Sequence, residues 1–258
     1  MIALEEHLRA RRDGGRKLLV PYVTGGLMDG WVHVVSAFVA AGADAVEIGI
    51  PFSDPVMDGP TIQEASATAL LRGTTPESVL ADLRGVDAGV PLVAMTYYNL
   101  VFRAGHHRFA TSLADAGVGG AVIPDLPLEE SADWERSAAE AGVATVLLTA
   151  PVTPEERLVR ICARSRGFVY GVGLMGVTGE RSALADSSAT MAKRLKAVTD
   201  LPVLIGFGVS TPAQARDVCA EADGVIVASA LMRRLLDGEG IEAAASLVAS
   251  MRAALDGG

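Results

Sequence analysis

Short runs rich in valine and isoleucine recur along the chain, each followed by a helix-length stretch, and this alternation restricts the fold more than any other feature. The runs occupy residues 17–23, 44–49, 91–97, 120–124, 144–149, 167–172, 202–207 and 224–229. Between them apolar residues fall at three- and four-residue spacing, as in 31–41, 108–116 and 211–221, which is the period of a helix with one buried face. Several of these stretches close on glycine, as in Ala41-Gly42 and Ala116-Gly117, the usual stop before a following strand. Nearly continuous apolar strands alternating with helices imply a parallel sheet covered on both faces. Eight such units predict a closed (β/α)8 barrel rather than an open sheet. No Pro/Gly/Ser-rich linker divides the chain, so one domain is expected over residues 1–258. An extra amphipathic segment, residues 2–12, is expected to cap the bottom of the barrel.

Half of the 258 residues are apolar, which suffices for a large core. No stretch approaches the roughly 20 apolar residues of a membrane span, and residues 1–12 are charged where a secretory signal would be apolar. Cys162 and Cys219 lie in helix-like segments and form no disulfide framework, so a cytoplasmic setting is expected. Net charge is −9, from 22 basic and 31 acidic residues, the opposite of the balance that nucleic-acid binding requires. Neither a nucleic acid nor a membrane is therefore an expected partner.

In a barrel, the loops at the C-terminal ends of the strands build the site, and long loops tend to be functional. The two longest connections follow the second and sixth runs. The second run leads into Val46-Glu47-Ile48-Gly49-Ile50-Pro51-Phe52-Ser53-Asp54-Pro55-Val56-Met57-Asp58-Gly59. A carboxyl inside an apolar strand has its pKa raised by desolvation, which poises it for proton transfer. From position alone two readings stand for Glu47, a general acid/base or a structural carboxyl satisfied by hydrogen bonds in the barrel core.

Other chemistries are poorly supplied. A Schiff-base enzyme needs a lysine at the top of a strand, yet Lys17 begins the first run while Lys193 and Lys196 fall in a helix. A metal-dependent enzyme needs clustered histidines and carboxylates. His7 and His33 are separate, and the adjacent pair His106 and His107 reads as solvated surface. No metal is expected. The segment 171–176 matches Gly-x-Gly-x-x-Gly, but no acid ends the next strand and the unit lies late in the chain, so a dinucleotide site is not expected there.

The run 46–59 resembles the signature segment of tryptophan synthase α subunits at nearly every position, with Met57 as a departure. The resemblance extends over the chain through Tyr97-Tyr98-Asn99-Leu100-Val101-Phe102, Pro124-Asp125-Leu126-Pro127, Gly176-Val177-Thr178-Gly179 and Gly206-Phe207-Gly208-Val209-Ser210. It implies a lyase that splits indole-3-glycerol phosphate into indole and glyceraldehyde 3-phosphate, with Glu47 as general acid/base and Asp58 holding the indole N–H. Tyr22, Met95, Tyr97, Val122, Tyr170, Thr178 and Phe207 would enclose the indole. Phosphate would lie against Gly179, Gly208, Ala228 and Ser229, held largely by main-chain donors because no lysine is near. Ala228 stands where the family has glycine, Gly26-Leu27-Met28 where it has Gly-x-Pro, and Gly173-Leu174 where it often has Ser-Arg.

Residues 173–188, rich in Gly, Ser, Thr and Ala, read as a mobile lid that brings Thr178 to Asp58. The resemblance further implies no cofactor in this chain. It implies a pyridoxal-phosphate-dependent β subunit as partner in an α2β2 assembly. Three other functions compete: a different phosphate-sugar barrel enzyme, a regulatory subunit of little activity, and a free-standing indole-releasing lyase. The Glu47/Asp58 pair argues against the first and second; the third would keep the same catalytic set.

Overall fold

The computed structural model describes residues 1–173, 181–206 and 208–257, with the backbone alone for 181–186. Among the described residues, eight parallel strands close in sequence order into a barrel. They are β1 (Leu18–Thr24), β2 (Val46–Gly49), β3 (Leu92–Met95), β4 (Val118–Val122), β5 (Ala144–Thr149), β6 (Val169–Val172), β7 (Val203–Gly206) and β8 (Gly224–Val227). The helices up to β4 are α1 (Leu4–Asp13), α2 (Val32–Ala40), α3 (Pro60–Leu71), α4 (Pro76–Leu83), α5 (Tyr98–Ala104) and α6 (His106–Asp115). Those after it are α7 (Ala132–Glu140), α8 (Glu155–Arg164), α9 (Arg181–Lys196), α10 (Pro212–Cys219), α11 (Ser229–Leu236) and α12 (Ile241–Asp256).

Strand period divides the core in two. Successive side chains alternate between faces, so Leu18 and Val20, Ala45, Val93, Val122, Val146, Phe168, Tyr170, Leu204 and Ile226 point inward and form one packed cluster. Their outward neighbours, among them Leu19, Val23, Val46, Ile48, Val203 and Ile205, pack against the helices. Leu4 and Leu8 of α1 join the inner cluster from below. Helix α1 thus closes the bottom of the barrel, as residues 2–12 led one to expect. Small residues make room for it: a Cβ on Gly120 or Gly167 would lie 2.5–2.6 Å from Leu4 Cδ2.

The N-terminal and C-terminal helices are tied to the same strand end by a buried carboxylate. Asp44, fully buried, accepts from Arg11 and Arg16, from Arg252 of α12 and from the Leu19 amide. Asp223, beside β8, makes the corresponding bonds to Lys196 and the Val203 amide. Both carboxylates satisfy backbone donors at the lower rim, where strands begin and an unpaired amide would be costly.

Two stretches each divide into a pair of helices at a glycine of positive φ. Helix α3 ends at Leu71 with Arg72 as its cap, Gly73 takes a φ of +84°, and Thr75 caps α4 through a reciprocal pair of bonds with Ser78. Gly105, at φ +86°, separates α5 from α6. Residues 181–188, expected to belong to a lid, form the first turns of α9; their Ser-Ala-Leu-Ala run has the propensity for it. The remainder of that expected lid, 174–180, lies outside the described residues.

Candidate active site

The inward parity that builds the core also delivers one side chain per strand to the upper rim. Tyr22 on β1 stands opposite Glu47 on β2, Gly49 opposite Met95 on β3, Met95 opposite Val122 on β4, and Leu148 on β5 opposite Tyr170 on β6. Tyr22, Glu47, Met95, Val122 and Tyr170 thereby lie near the C-terminal ends of their strands on the inner side of the barrel. Leu148 was missed, although it falls on the same two-residue alternation as Ala144 and Val146.

Glu47 is 2 % exposed, and its Oε2 has no hydrogen-bond partner. Burial, reinforced by the negative charge of Asp58, pushes its pKa up to about 8. A structural carboxyl satisfied within the core would have both oxygens bonded. The orphaned oxygen is what a carboxyl held in reserve for proton transfer would show.

Asp58 arrives from the loop after β2. A turn closes with its amide on Pro55 O at 3.0 Å, and Gln63 of α3 holds its carbonyl at 2.9 Å. Burial raises its pKa to about 6, and a side-chain hydrogen bond with Tyr97 pulls the other way. Tyr97 precedes α5 and is almost fully buried. Its hydroxyl accepts from Met57 N at 3.0 Å, and its ring stacks on Phe52 with centroids 5.1 Å apart. Tyr97 therefore fastens the loop that carries Asp58 to β3 and α5, a role beyond the aromatic wall expected of it.

Two glycines make the site possible. A Cβ on Gly49 would lie 1.7 Å from Tyr22 Oη, and one on Gly206 would lie 2.2 Å from Tyr170 Oη. Each tyrosine lies across the end of the following strand, in space that only glycine leaves open. Tyr22 Oη also accepts a hydrogen bond from Thr24 Oγ1 at 3.2 Å. Both phenols are held protonated, their pKa values raised first by burial and then by the nearby carboxyls.

On the far side of the opening, Gly208 has a φ of +85°. Ala228 precedes α11, whose first residue is the exposed Ser229. Gly208, Ala228 and Ser229 thus lie after the seventh and eighth strands, and the α11 N-terminus offers free amides of the kind that bind anions. Thr178, Gly179 and Phe207 lie outside the described residues. Among the described residues, no group of three His, Cys, Asp or Glu side chains could hold a metal ion. Also among them, no helix is long and apolar enough to cross a membrane.

A rim with one buried and one half-buried carboxyl of unequal pKa, flanked by phenols, has the groups that proton transfer needs. Comparison with known proteins gives the family of the chain. The family model described as tryptophan synthase alpha chain matches residues 8–255. The chain belongs to the tryptophan synthase alpha chain family. It is 42 % identical over 264 residues to the tryptophan synthase alpha chain of Thermobifida fusca, covering all of this chain and 98 % of that protein. It is 43 % identical to that of Picosynechococcus sp., covering 99 % of this chain and 100 % of the other. Among solved structures, Mycobacterium tuberculosis tryptophan synthase superposes with a TM-score of 0.90 at 38 % identity, covering 98 % of this chain and 97 % of that one. Tryptophan synthase subunit alpha from Legionella pneumophila superposes with a TM-score of 0.89 at 32 % identity, over 100 % and 99 % of the two chains. Members of this family are lyases of tryptophan biosynthesis that cleave indole-3-glycerol phosphate.

Proposed function

We propose that this chain, acting as one barrel domain over residues 1–258, cleaves indole-3-glycerol phosphate with Glu47 as acid and base and Asp58 as its electrostatic partner. The observation that carries the reading is the pair of unequal carboxyls: Glu47 near 8 with an unpartnered oxygen, Asp58 near 6. At neutral pH the first holds its proton and the second is ionised, which is how two acids of one site divide the roles.

The Glu47 proton passes to the ring carbon that bears the glycerol chain, leaving positive charge on the ring nitrogen. Asp58 accepts the ring N–H and balances that charge. Glu47, now ionised, takes the proton of the adjacent side-chain hydroxyl. The carbon–carbon bond breaks, its electron pair returns to the ring, and indole and the aldehyde separate. The cycle restores the Glu47 proton and requires no cofactor.

Tyr22, Met95, Tyr97, Val122 and Tyr170 would enclose the flat ring, joined by Thr178 and Phe207. Gly208, Ala228 and Ser229, with Gly179, would take the phosphate at its far end. The expected partner is a pyridoxal-phosphate-dependent β subunit in an α2β2 assembly, which receives the indole. Exposed apolar side chains near the mouth support such docking: Val56 is 78 % exposed, Met57 46 % and Phe102 67 %. The buried free cysteines Cys162 and Cys219 accord with work in the cytoplasm.

The experiment is indole release from indole-3-glycerol phosphate by the purified chain and by Glu47→Gln. The substitution keeps shape and removes the transferable proton, so activity should fall by at least about 10²–10⁴-fold. Near-native turnover in Glu47→Gln would overturn the assignment.

A further inference from the structure

Tyr22 does more in this geometry than supply a wall. It stands opposite Glu47 in the register of β1 and β2, so the two side chains emerge side by side into the barrel. Its hydroxyl lies over Gly49 at the top of β2. Thr24, fully buried two residues further on, donates to Tyr22 Oη at 3.2 Å. That bond occupies an acceptor site of the phenol oxygen and turns the phenolic proton elsewhere. Among the described residues, Tyr22 Oη has no hydrogen bond other than that to Thr24, and Oε2 of Glu47 on the neighbouring strand has none.

A buried phenol with a proton to donate and a buried carboxyl oxygen without a partner thus stand at the same level of two adjacent strands. A carbinol group completes such a pair: its proton needs an acceptor and its oxygen can take a donor. We propose that Tyr22 donates a hydrogen bond to the side-chain hydroxyl oxygen next to the indole ring, with Thr24 positioning the phenol. The inference rests on the cleavage proposed above. As that hydroxyl loses its proton to Glu47, negative charge grows on the oxygen, and a preorganised donor stabilises it most at that moment. The phenol serves as donor and never as base, because burial and the neighbouring carboxyls keep it protonated across the working range.

Tyr22→Phe tests this, since it removes one oxygen and keeps the ring. Loss of one preorganised donor should lower kcat by about 10–10²-fold, the low end of what such donors give. KM should change little. Affinity for an indole carrying a phosphorylated three-carbon chain without hydroxyls should be unchanged, and so should the melting temperature. Thr24→Val should lower kcat by less. Wild-type kcat in Tyr22→Phe overturns the proposal, as does a kcat loss matched by an equal loss of affinity for the hydroxyl-free compound, which marks a packing role. The underlying reaction fails separately, if the unaltered chain releases no indole or Glu47→Gln remains active.

Discussion

A Cβ on Gly49 would come within 1.7 Å of Tyr22 Oη, so the second strand must end in glycine for the first to present a tyrosine. The same relationship holds between Gly206 and Tyr170 at 2.2 Å. In each pair the glycine lies opposite the residue two beyond the tyrosine, Thr24 with Gly49 and Val172 with Gly206. The inward-leaning ring therefore passes over the neighbouring backbone. Gly49→Ala and Gly206→Ala should each displace a ring from the rim and cost about 1–3 kcal/mol in stability, as overpacking does. Activity should fall much further than stability. Thermal melts alongside steady-state kinetics check this, and an unchanged KM and kcat in Gly49→Ala would show that Tyr22 can leave its place without consequence.

Much of this arrangement was legible in the sequence. Glu47, Met95, Val122 and Tyr170 stand out in the sequence by their places near strand ends and by resemblance to the family, and the two-residue period of the strands explains why they share the inner face. Boundaries shifted by a few residues, as at β4, which begins at Val118 rather than 120. What could not be read was distance across the chain. Met57 and Tyr97 are forty positions apart, and nothing in either segment announces that the Tyr97 hydroxyl fastens the Met57 amide. The helical start of α9 was hidden for a different reason. Its serines and alanines suit a loop and a helix alike, and only the surrounding packing chooses.

The two carboxyls set a pH window. In the proposed mechanism activity needs Asp58 ionised and Glu47 protonated, so kcat/KM should rise through about 6 and fall through about 8. Asp58→Asn should remove the acid limb from the residual activity. It should also bring the alkaline limb to lower pH, because the charge that helps raise Glu47 is gone. An acid limb that persists unchanged in Asp58→Asn would assign it to another group.

Stability should carry the same signature with a definite sign. The folded-state pKa of Glu47 stands above its ordinary value of 4.5, at about 8. The stability associated with its protonated form is therefore complete below about 4.5 and is lost as pH rises towards 8. Glu47→Gln, which cannot ionise, should gain on the unaltered chain across that interval, by up to about 1.4 kcal/mol per pH unit. Denaturant unfolding at pH 5.5 and pH 8.5 measures the difference, and a gap that does not widen with pH would mean that Glu47 is not held neutral in the folded chain.

Phosphate binding should depend on backbone shape more than on side chains. Gly208 sits at φ +85°, where a β-branched residue is strained. Gly208→Val should raise KM for the phosphorylated substrate by about tenfold or more, while Ser229→Ala, which removes a single donor, should do so by about three- to tenfold. Inorganic phosphate should compete with substrate. Non-competitive inhibition by phosphate would place the anion elsewhere.

The partner should be detectable through a residue that takes no part in the chemistry. Phe102 lies on α5, the helix that directly follows Tyr97, and is 67 % exposed. Asp54 is also exposed, on the loop that carries Asp58. A β subunit docked over the mouth would cover both and could shift Asp58 through either, by way of the loop or by way of Tyr97. From Phe102 such coupling would run through the Tyr98 ring to its chain neighbour Tyr97, whose hydroxyl holds the Met57 amide. Mixed with a cognate β subunit, the chain should form a complex by sedimentation and release indole faster than it does alone. Phe102→Asp, which sets a charge in an apolar interface, should abolish the gain and leave basal activity intact, while Asp54→Ala should reduce the gain more than the basal rate. Full acceleration of Phe102→Asp would remove α5 from the docking face, and neither complex nor acceleration in the unaltered chain would favour a lyase that works alone.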